Sequence, residues 1–144
     1  MYAPPDFLTG HYDQNAYGRW LQRKASAHVR RDRKRGNASA TVAAYKLAIH
    51  NAVCTSQGRD AYTGEFLDWH LLSVYDNAES KVGRRGYKAR FSLLPTVDHV
   101  GDGLGAAEFL ICAWRTNDAK NDLSHADFIA LCRKVIAHSD SRRS

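Results

Sequence analysis

The stretch SLLPTVDHVGDGLGAAEFLICAWRTNDAKND, residues 92–122, determines the fold that we expect for this chain. Two runs within and beside it, 89–100 and 108–116, are rich in β-branched and aromatic residues and too short for convincing helices. A glycine-rich loop joins them, so the pattern predicts a β-hairpin, and a helix should follow from about Asn117. Pro95 lies inside the first run, which predicts an edge strand or a bulge because proline cannot donate a ladder hydrogen bond.

The part of the chain before residue 57 has a mostly helical pattern. Residues 15–35 contain no proline and are largely alanine and long straight side chains, which predicts a first helix. Gly36 and Asn37 should end that helix. A second helix is predicted over 39–56, because four apolar residues recur there at helical spacing. These four residues are Val42, Tyr45, Ile49 and Val53.

The remaining segments have weaker patterns. Residues 1–13 contain two prolines and show no period, so an irregular arm is predicted there. We expect a small hairpin or turn over 58–69, a short buried element over 69–75, and a polar surface loop over 76–90. No linker divides the sequence, so a single domain over 1–144 is expected.

A last helix is predicted to begin after Ser124. Ser124 and Asp127 have the spacing of a capping box, in which the side chain of the first residue bonds to the backbone of the third helical residue. Apolar residues follow at helical spacing and should form the buried face of this helix. They are Phe128, Leu131, Cys132 and Val135.

The composition is that of a globular chain with an excess of basic residues. The 144 residues are 44% hydrophobic and carry a formal net charge of +6. No apolar run is long enough to span a membrane, and the N-terminus lacks the pattern of a secretory signal. We therefore expect a cytoplasmic protein with no membrane partner. The three cysteines are far apart, so neither a disulfide framework nor a structural zinc site is expected.

Basic residues are concentrated in the first predicted helix. Seven of them lie within residues 23–35, where Asp32 is the only acidic residue. Such a run is either the solvated face of a helix or a surface that binds the phosphates of a nucleic acid. The basic cluster consists of Arg23, Lys24, Arg30, Arg31, Arg33, Lys34 and Arg35.

Polar side chains are expected to converge at the end of the hairpin. Asp98 and His99 end the first strand, Asn117 lies where the second strand gives way to a helix, and Lys120 follows one turn later. Carboxylate and carboxamide oxygens are hard ligands that suit Mg²⁺ or Mn²⁺, and a neutral imidazole is a natural general base. Neighbouring residues of a regular strand point to opposite faces, so a site shared by Asp98 and His99 predicts a distorted strand.

These residues resemble the HNH, or ββα-metal, nuclease motif in its HNN variant. The segment TVDHV, residues 96–100, is similar to the Asp-His strand of that family, and NDAK, residues 117–120, is similar to the start of its helix. Upstream, GRDAYTGEFLD resembles the segment that precedes this strand in the HNH domain of RNA-guided CRISPR nucleases. The resemblance covers about residues 54–135. It implies an α+β fold in which a helical basic part, residues 1–56, packs on a ββα-metal nuclease core over 57–138.

The resemblance also implies roles for individual residues. Asp98 and Asn117 would hold one Mg²⁺, with Mn²⁺ as the alternative, and His99 would be the base that deprotonates the attacking water. Lys120 matches a family lysine that contacts phosphate or has a structural role. Glu108 stands nine positions before Asn117, where the family has an asparagine that pins the active-site loop and helps to hold the histidine. Glu108 can accept a hydrogen bond in that role but cannot donate one.

The sequence therefore predicts a metal-dependent DNA endonuclease that hydrolyses phosphodiester bonds with a histidine general base and one Mg²⁺. Three alternatives stay open. The first is a nucleic-acid-binding module with a degenerate HNH-like site, which Glu108 favours. The second is an RNA-cleaving nuclease or toxin, and the third is a basic structural protein without catalytic activity. Because each chain has a single site, a homodimer would be needed to cut both strands at once.

Overall fold

The computed structural model of the chain describes residues 2–10, 12–73 and 89–143. Within these residues the protein is α+β, as predicted, with four helices and one two-stranded antiparallel sheet. The elements are a 3₁₀ turn at Asp6–Leu8, α1 at Gln14–Lys34, α2 at Val42–Ser56, a second 3₁₀ turn at Trp69–Ser73, β1 at Pro95–His99, β2 at Phe109–Ala113, α3 at Trp114–Lys120 and α4 at His125–Ser141.

Helix α1 confirms the first predicted helix to within a residue at each end. Asp13 caps its N-terminus by accepting a hydrogen bond from the Ala16 amide at 2.7 Å. Gly36 follows its C-terminus with a φ of 109°, a conformation that side-chain-bearing residues rarely adopt. The buried face includes two titratable side chains, His28 and Asp32, so α1 carries polar groups into the interior.

Helix α2 confirms the second predicted helix, although it begins at Val42 rather than at residue 39. Thr41 is the N-cap, since its hydroxyl accepts a hydrogen bond from the Ala44 amide at 3.2 Å. The predicted apolar stripe is correct, because Tyr45, Ile49 and Val53 are buried and Val42 packs, partly buried, against the same cluster.

The predicted β-hairpin is present, with shorter strands than expected. Each residue of β1 pairs with one residue of β2, from Pro95 opposite Ala113 to His99 opposite Phe109. The ladder is therefore regular, and the expected strand distortion is absent from β1. Pro95 is the first residue of β1, a position where proline removes no ladder bond that the strand needs.

The second strand was predicted to continue to residue 116, and this boundary is wrong. Helix α3 begins directly after Ala113, and Asn117 lies inside it rather than at its start. The reason is a buried carboxylate from elsewhere in the chain. Asp60 Oδ2 accepts hydrogen bonds from the Ala113 amide at 2.8 Å and the Thr116 hydroxyl at 2.7 Å. Asp60 thus holds both the N-cap residue and the first turn of α3.

The N-terminal helices and the hairpin share one hydrophobic core. Leu21 of α1, Ile49 of α2 and Ile111 of β2 are almost completely buried in the same cluster. The arm before α1 also belongs to this core, because Leu8 is fully buried and Tyr2 packs against the cluster. The arm is irregular, as predicted, apart from its 3₁₀ turn.

The predicted buried face of the last helix is wrong. Ser124 does cap α4, accepting a hydrogen bond from the Asp127 amide at 3.1 Å. However, α4 has no buried residue, and Leu131 and Val135 are 48% and 61% exposed. A stripe of apolar residues predicts a face of a helix, but burial also requires an element that covers that face. In α4 the ring of Phe128 contacts Tyr62, with centroids 5.7 Å apart.

The connecting segments agree with the sequence where they are described. Residues 58–69 form a turn, in which the Asp60 amide donates to the Glu65 carbonyl at 2.8 Å. The buried element expected over 69–75 is a 3₁₀ turn as far as residue 73. The rest of that element and most of the loop expected over 76–90 lie outside the described residues. None of the described helices combines the length and apolar character that crossing a membrane requires.

Candidate functional site

The ends of α1, β1 and α3 surround an open cleft of about 690 Å³. Its lining contains both predicted metal ligands, the predicted base, the predicted lysine and two members of the basic cluster. These residues are Asp98, Asn117, His99, Lys120, Arg31 and Arg35. The hairpin therefore brings together side chains that are distant in sequence, and α1 adds positive charge on the same cleft.

Asp98 is held from two sides. Its side chain is 8% exposed, and its two oxygens have different partners. Oδ2 accepts a hydrogen bond from the Tyr62 hydroxyl at 2.6 Å, and Oδ1 accepts one from Lys120 Nζ at 3.3 Å. Burial and the bond to Asp98 raise the pKa of Tyr62 well above its usual value, so the phenol stays a donor. The ammonium of Lys120 balances the buried negative charge.

Tyr62 has no role in the prediction from sequence. In the structure its position is fixed by Asp60. Asp60 Oδ1 accepts hydrogen bonds from the amides of Tyr62 at 2.6 Å and Thr63 at 3.0 Å. Its other oxygen bonds to the start of α3, the helix that carries Asn117 and Lys120. One buried carboxylate therefore fixes the turn that holds Tyr62 relative to the helix that holds Lys120. An aspartate that starts a turn is a recognisable signal, but its second set of partners lies far along the chain.

His99 has a partner at each ring nitrogen. Nδ1 donates a hydrogen bond to the carbonyl of Val100 at 2.9 Å. Nε2 lies 2.7 Å from Oδ2 of Asp32, a contact that departs from the direction of the ring N–H and so is not a linear hydrogen bond. The ring also packs edge-on against Phe109, with centroids 4.8 Å apart. Asp98 and His99 thus have separate partners, as strand alternation requires, and still line one cleft.

Glu108 is not brought to His99. Its side chain is exposed and lines a different cavity, of about 590 Å³, while only its carbonyl takes part in the hairpin, accepting from the Val100 amide at 2.9 Å. The carboxylate that contacts the histidine is Asp32 of α1. Two features of the sequence could have pointed to Asp32. It is the only acidic residue of the basic run, and it lies four residues after His28, on the same face of α1.

The basic cluster divides into residues with different surroundings. Arg31 and Arg35 line the cleft. Arg33 instead donates two hydrogen bonds to the Ala40 carbonyl, at 3.1 and 2.8 Å, and so ties the end of α1 to the start of α2. Lys24 is half-buried, and its pKa is lowered by burial and by the charges of neighbouring arginines. The other members are exposed and do not line the cleft, and they are Arg23, Arg30 and Lys34.

Two side chains of the cleft have the oxygen donors that a hard divalent cation takes in proteins. Asp98 offers a carboxylate whose oxygens have lone pairs beyond those bonded to Tyr62 and Lys120, and Asn117 offers a carboxamide oxygen. Mg²⁺ needs only one or two carboxylates together with water and phosphate oxygens. In the described part of the chain, no group of three or more His, Cys, Asp or Glu side chains could hold a metal by itself.

Comparison with known proteins adds no family to these observations. No family model, no curated protein and no solved structure matches the chain. The function is therefore inferred from the residues of the cleft.

Proposed function

We propose that this protein is a metal-dependent endonuclease that hydrolyses phosphodiester bonds of DNA, built on an HNH-like ββα core. The observation that supports the proposal is the lining of one open cleft by Asp98, His99, Asn117 and Lys120 together with Arg31 and Arg35. A phosphodiester is an anion whose hydrolysis needs a base, a stabiliser of the leaving oxygen and cations for its flanking phosphates. This lining contains a candidate for each.

Each side chain has one task in this proposal. Asp98 and Asn117 would hold Mg²⁺, which supplies charge neutralisation at the scissile phosphate and the leaving oxygen. His99 takes a proton from the attacking water. Tyr62 and Lys120 keep the Asp98 carboxylate in one orientation through the bonds at 2.6 and 3.3 Å. Arg31 and Arg35 bind backbone phosphates beside the reacting one.

A nucleic-acid-binding module with a degenerate site is the second candidate. Two contacts favour it: an ammonium already bonds to Asp98, and the Nε2 atom of His99 lies against Asp32. Both contacts reduce the freedom of groups that an active nuclease uses. In that case Arg31 and Arg35 would still bind phosphates, but no bond would be cut.

The test is cleavage of supercoiled plasmid in Mg²⁺, in Mn²⁺ and in chelator. We expect nicking that needs the divalent ion and that falls by about 10²–10⁴-fold in the His99→Ala variant, because the general base is lost. The matched control is His125→Ala, which removes another histidine that lines the same cleft and should leave nicking within a few-fold of wild type.

Other outcomes separate the alternatives. Intact plasmid under every metal condition, with binding retained in a gel-shift assay, would favour the binding module. Single-stranded RNA and DNA oligonucleotides tested in parallel determine which nucleic acid the protein cuts. Cleavage of RNA alone would make the protein a ribonuclease. Equal nicking by wild type and His99→Ala would refute the role of the histidine.

A further inference from the structure

We infer that the side chain of Asn121, at the end of α3, binds the nucleic acid by donating hydrogen bonds from its carboxamide to a backbone phosphate. This inference deepens the proposed function and rests on it. It gives the cleft a phosphate-binding side chain from α3, in addition to Arg31 and Arg35 of α1.

The backbone of Asn121 has a conformation that residues with side chains disfavour. Its φ is 54° and its ψ is −125°, the angles of the first central residue of a type II′ turn. The Leu123 amide donates to the Lys120 carbonyl at 3.1 Å and closes that turn. Glycine is favoured at this position, because a Cβ strains the backbone there. The turn alone would therefore favour glycine at position 121.

The other positive φ angles of the described residues are explained by the fold. Five of them belong to glycines. The remaining one belongs to Gln57, which follows α2 in the ordinary left-handed conformation that ends many helices, with a φ of 51° and a ψ of 32°. Gln57 does not line the cleft. Within the described part of the chain, only Asn121 combines a side chain, a strained backbone and a place in the cleft wall that carries the predicted metal ligands.

The position of Asn121 is close to the proposed chemistry. The residue is exposed and lines the cleft. Its amide donates to the Asn117 carbonyl at 2.9 Å, so it lies one helical turn beyond a proposed Mg²⁺ ligand. Among the described residues, the carboxamide of Asn121 has no hydrogen-bond partner. Its two N–H donors are therefore available to a ligand in the cleft.

The cations of α3 are already paired. Lys120, which was expected to contact phosphate, is 7% exposed and lies 3.3 Å from Asp98. Arg115 pairs with Glu65 and does not line the cleft. A phosphodiester that enters the cleft beside α3 therefore needs neutral donors on this side. Asparagine side chains are among the groups that bind backbone phosphates in protein–DNA complexes, and Asn121 has the required donors.

Replacing Asn121 with glycine separates the stability of the turn from binding. Glycine suits the turn, so we expect the Tm of Asn121→Gly to rise by about 2–4 °C. The Kd for a fluorescein-labelled DNA duplex, measured by anisotropy in chelator, should increase about 10-fold or more, because a hydrogen bond to a charged group is lost. For the same reason, kcat/KM for Mg²⁺-dependent nicking should fall by about 10-fold or more.

The matched control is Gln57→Gly, the other substitution that puts glycine at a positive φ. It should also raise the Tm, because glycine favours the position that follows a helix. The Kd for the duplex and the nicking rate should stay at their wild-type values, because Gln57 lies outside the cleft. A glycine that acts only through backbone freedom would give both variants the same binding.

A second variant, Asn121→Asp, tests the donors themselves. Aspartate tolerates a positive φ as asparagine does, and Asp122 already places a carboxylate on the cleft, so this variant keeps the shape of the wild type. It replaces the N–H donors with a negative charge. The Kd should therefore increase at least as much as in Asn121→Gly. A wild-type Kd for Asn121→Asp would overturn the inference, and this variant decides if Asn121→Gly does not fold.

Failure of the inference differs from failure of the proposed function. If the wild type nicks plasmid and Asn121→Gly binds and nicks equally well, the side chain does not bind the substrate, although the protein is a nuclease. A lower Tm in Asn121→Gly would also overturn the inference, because the turn would then favour asparagine. If the wild type binds the duplex and cuts it in no metal, the proposed function fails, and the Kd values still decide the role of Asn121. A wild type that binds no nucleic acid would refute both.

Discussion

Replacing Asp60 with asparagine should destabilise the protein more than most single substitutions do. Asp60 is 2% exposed, and its carboxylate accepts four hydrogen bonds. In Asp60→Asn, one oxygen can still accept from the amides of Tyr62 and Thr63. The new NH₂ group then faces the Ala113 amide, so a donor meets a donor in a buried place, while the Thr116 hydroxyl can turn and accept from it.

The magnitude follows from the two buried N–H groups that then face each other, that of Ala113 and that of the new side chain. A buried polar group left without its partner costs about 1–3 kcal/mol, so two such groups cost about 4 kcal/mol together. For a chain of 144 residues, a loss of that size lowers the Tm by about 10 °C. The loss should appear as a lower urea midpoint with an unchanged slope, because the same surface is exposed on unfolding.

Thermal unfolding followed by circular dichroism, together with urea titration, measures this effect. The matched control is Asp102→Asn, because Asp102 also accepts a bond from a backbone amide, that of Leu104 at 2.9 Å, but is exposed. The control should stay within about 0.5 kcal/mol of wild type. A Tm for Asp60→Asn within 2–3 °C of wild type, about 1 kcal/mol, would show that Asp60 does not hold the Tyr62 turn to α3.

Two further predictions concern the charges of α1. Replacing Arg31 and Arg35 with glutamine should reduce the salt slope of DNA binding by about 0.9 for each phosphate that the variant no longer neutralises, measured by fluorescence anisotropy across salt concentrations. Arg33→Gln, which removes the bonds to Ala40, should lower the Tm and leave that slope unchanged; the opposite pattern would assign phosphate binding to Arg33. Burial, and secondarily Arg31, lowers the pKa of His28 to about 4, below the unfolded value of about 6.5. The unfolded chain therefore binds the proton first, so stability present above pH 6.5 falls as the pH drops towards 4. A His28→Gln variant should lose less stability than wild type over this window in urea titrations, and an equal loss would contradict the burial argument.

The parts of the fold that follow from local chemistry were predictable. Asp13 and Gly36 lie at the ends of α1, and both are residue types that favour those positions. The glycine loop and its flanking apolar runs specified the hairpin, and the hairpin is what brings Asp98 close to Lys120. A prediction from sequence succeeds here because each determinant lies within a few residues of the structure that it specifies.

The parts that depend on how elements pack were not predictable. Whether the apolar stripe of α4 is covered depends on its neighbours, and Leu131 remains exposed. The end of β2 depends on Asp60, which is distant in sequence. The partner of His99 was expected at Glu108, yet the strand register directs that side chain to another cavity while α1 supplies Asp32. Tertiary contacts of this kind leave only faint marks on a single sequence.

The alternation of β1 explains why the strand needs no distortion to serve one cleft. Asp98 takes its partners from Tyr62 and Lys120, which belong to the turn before the hairpin and to the helix after it. His99 takes its partner from α1. The two faces of the strand end are therefore completed by different parts of the chain, and the cleft opens where those parts meet. The N-terminal helices share the core of the hairpin and also supply the carboxylate beside the histidine, which makes them a structural part of the candidate site.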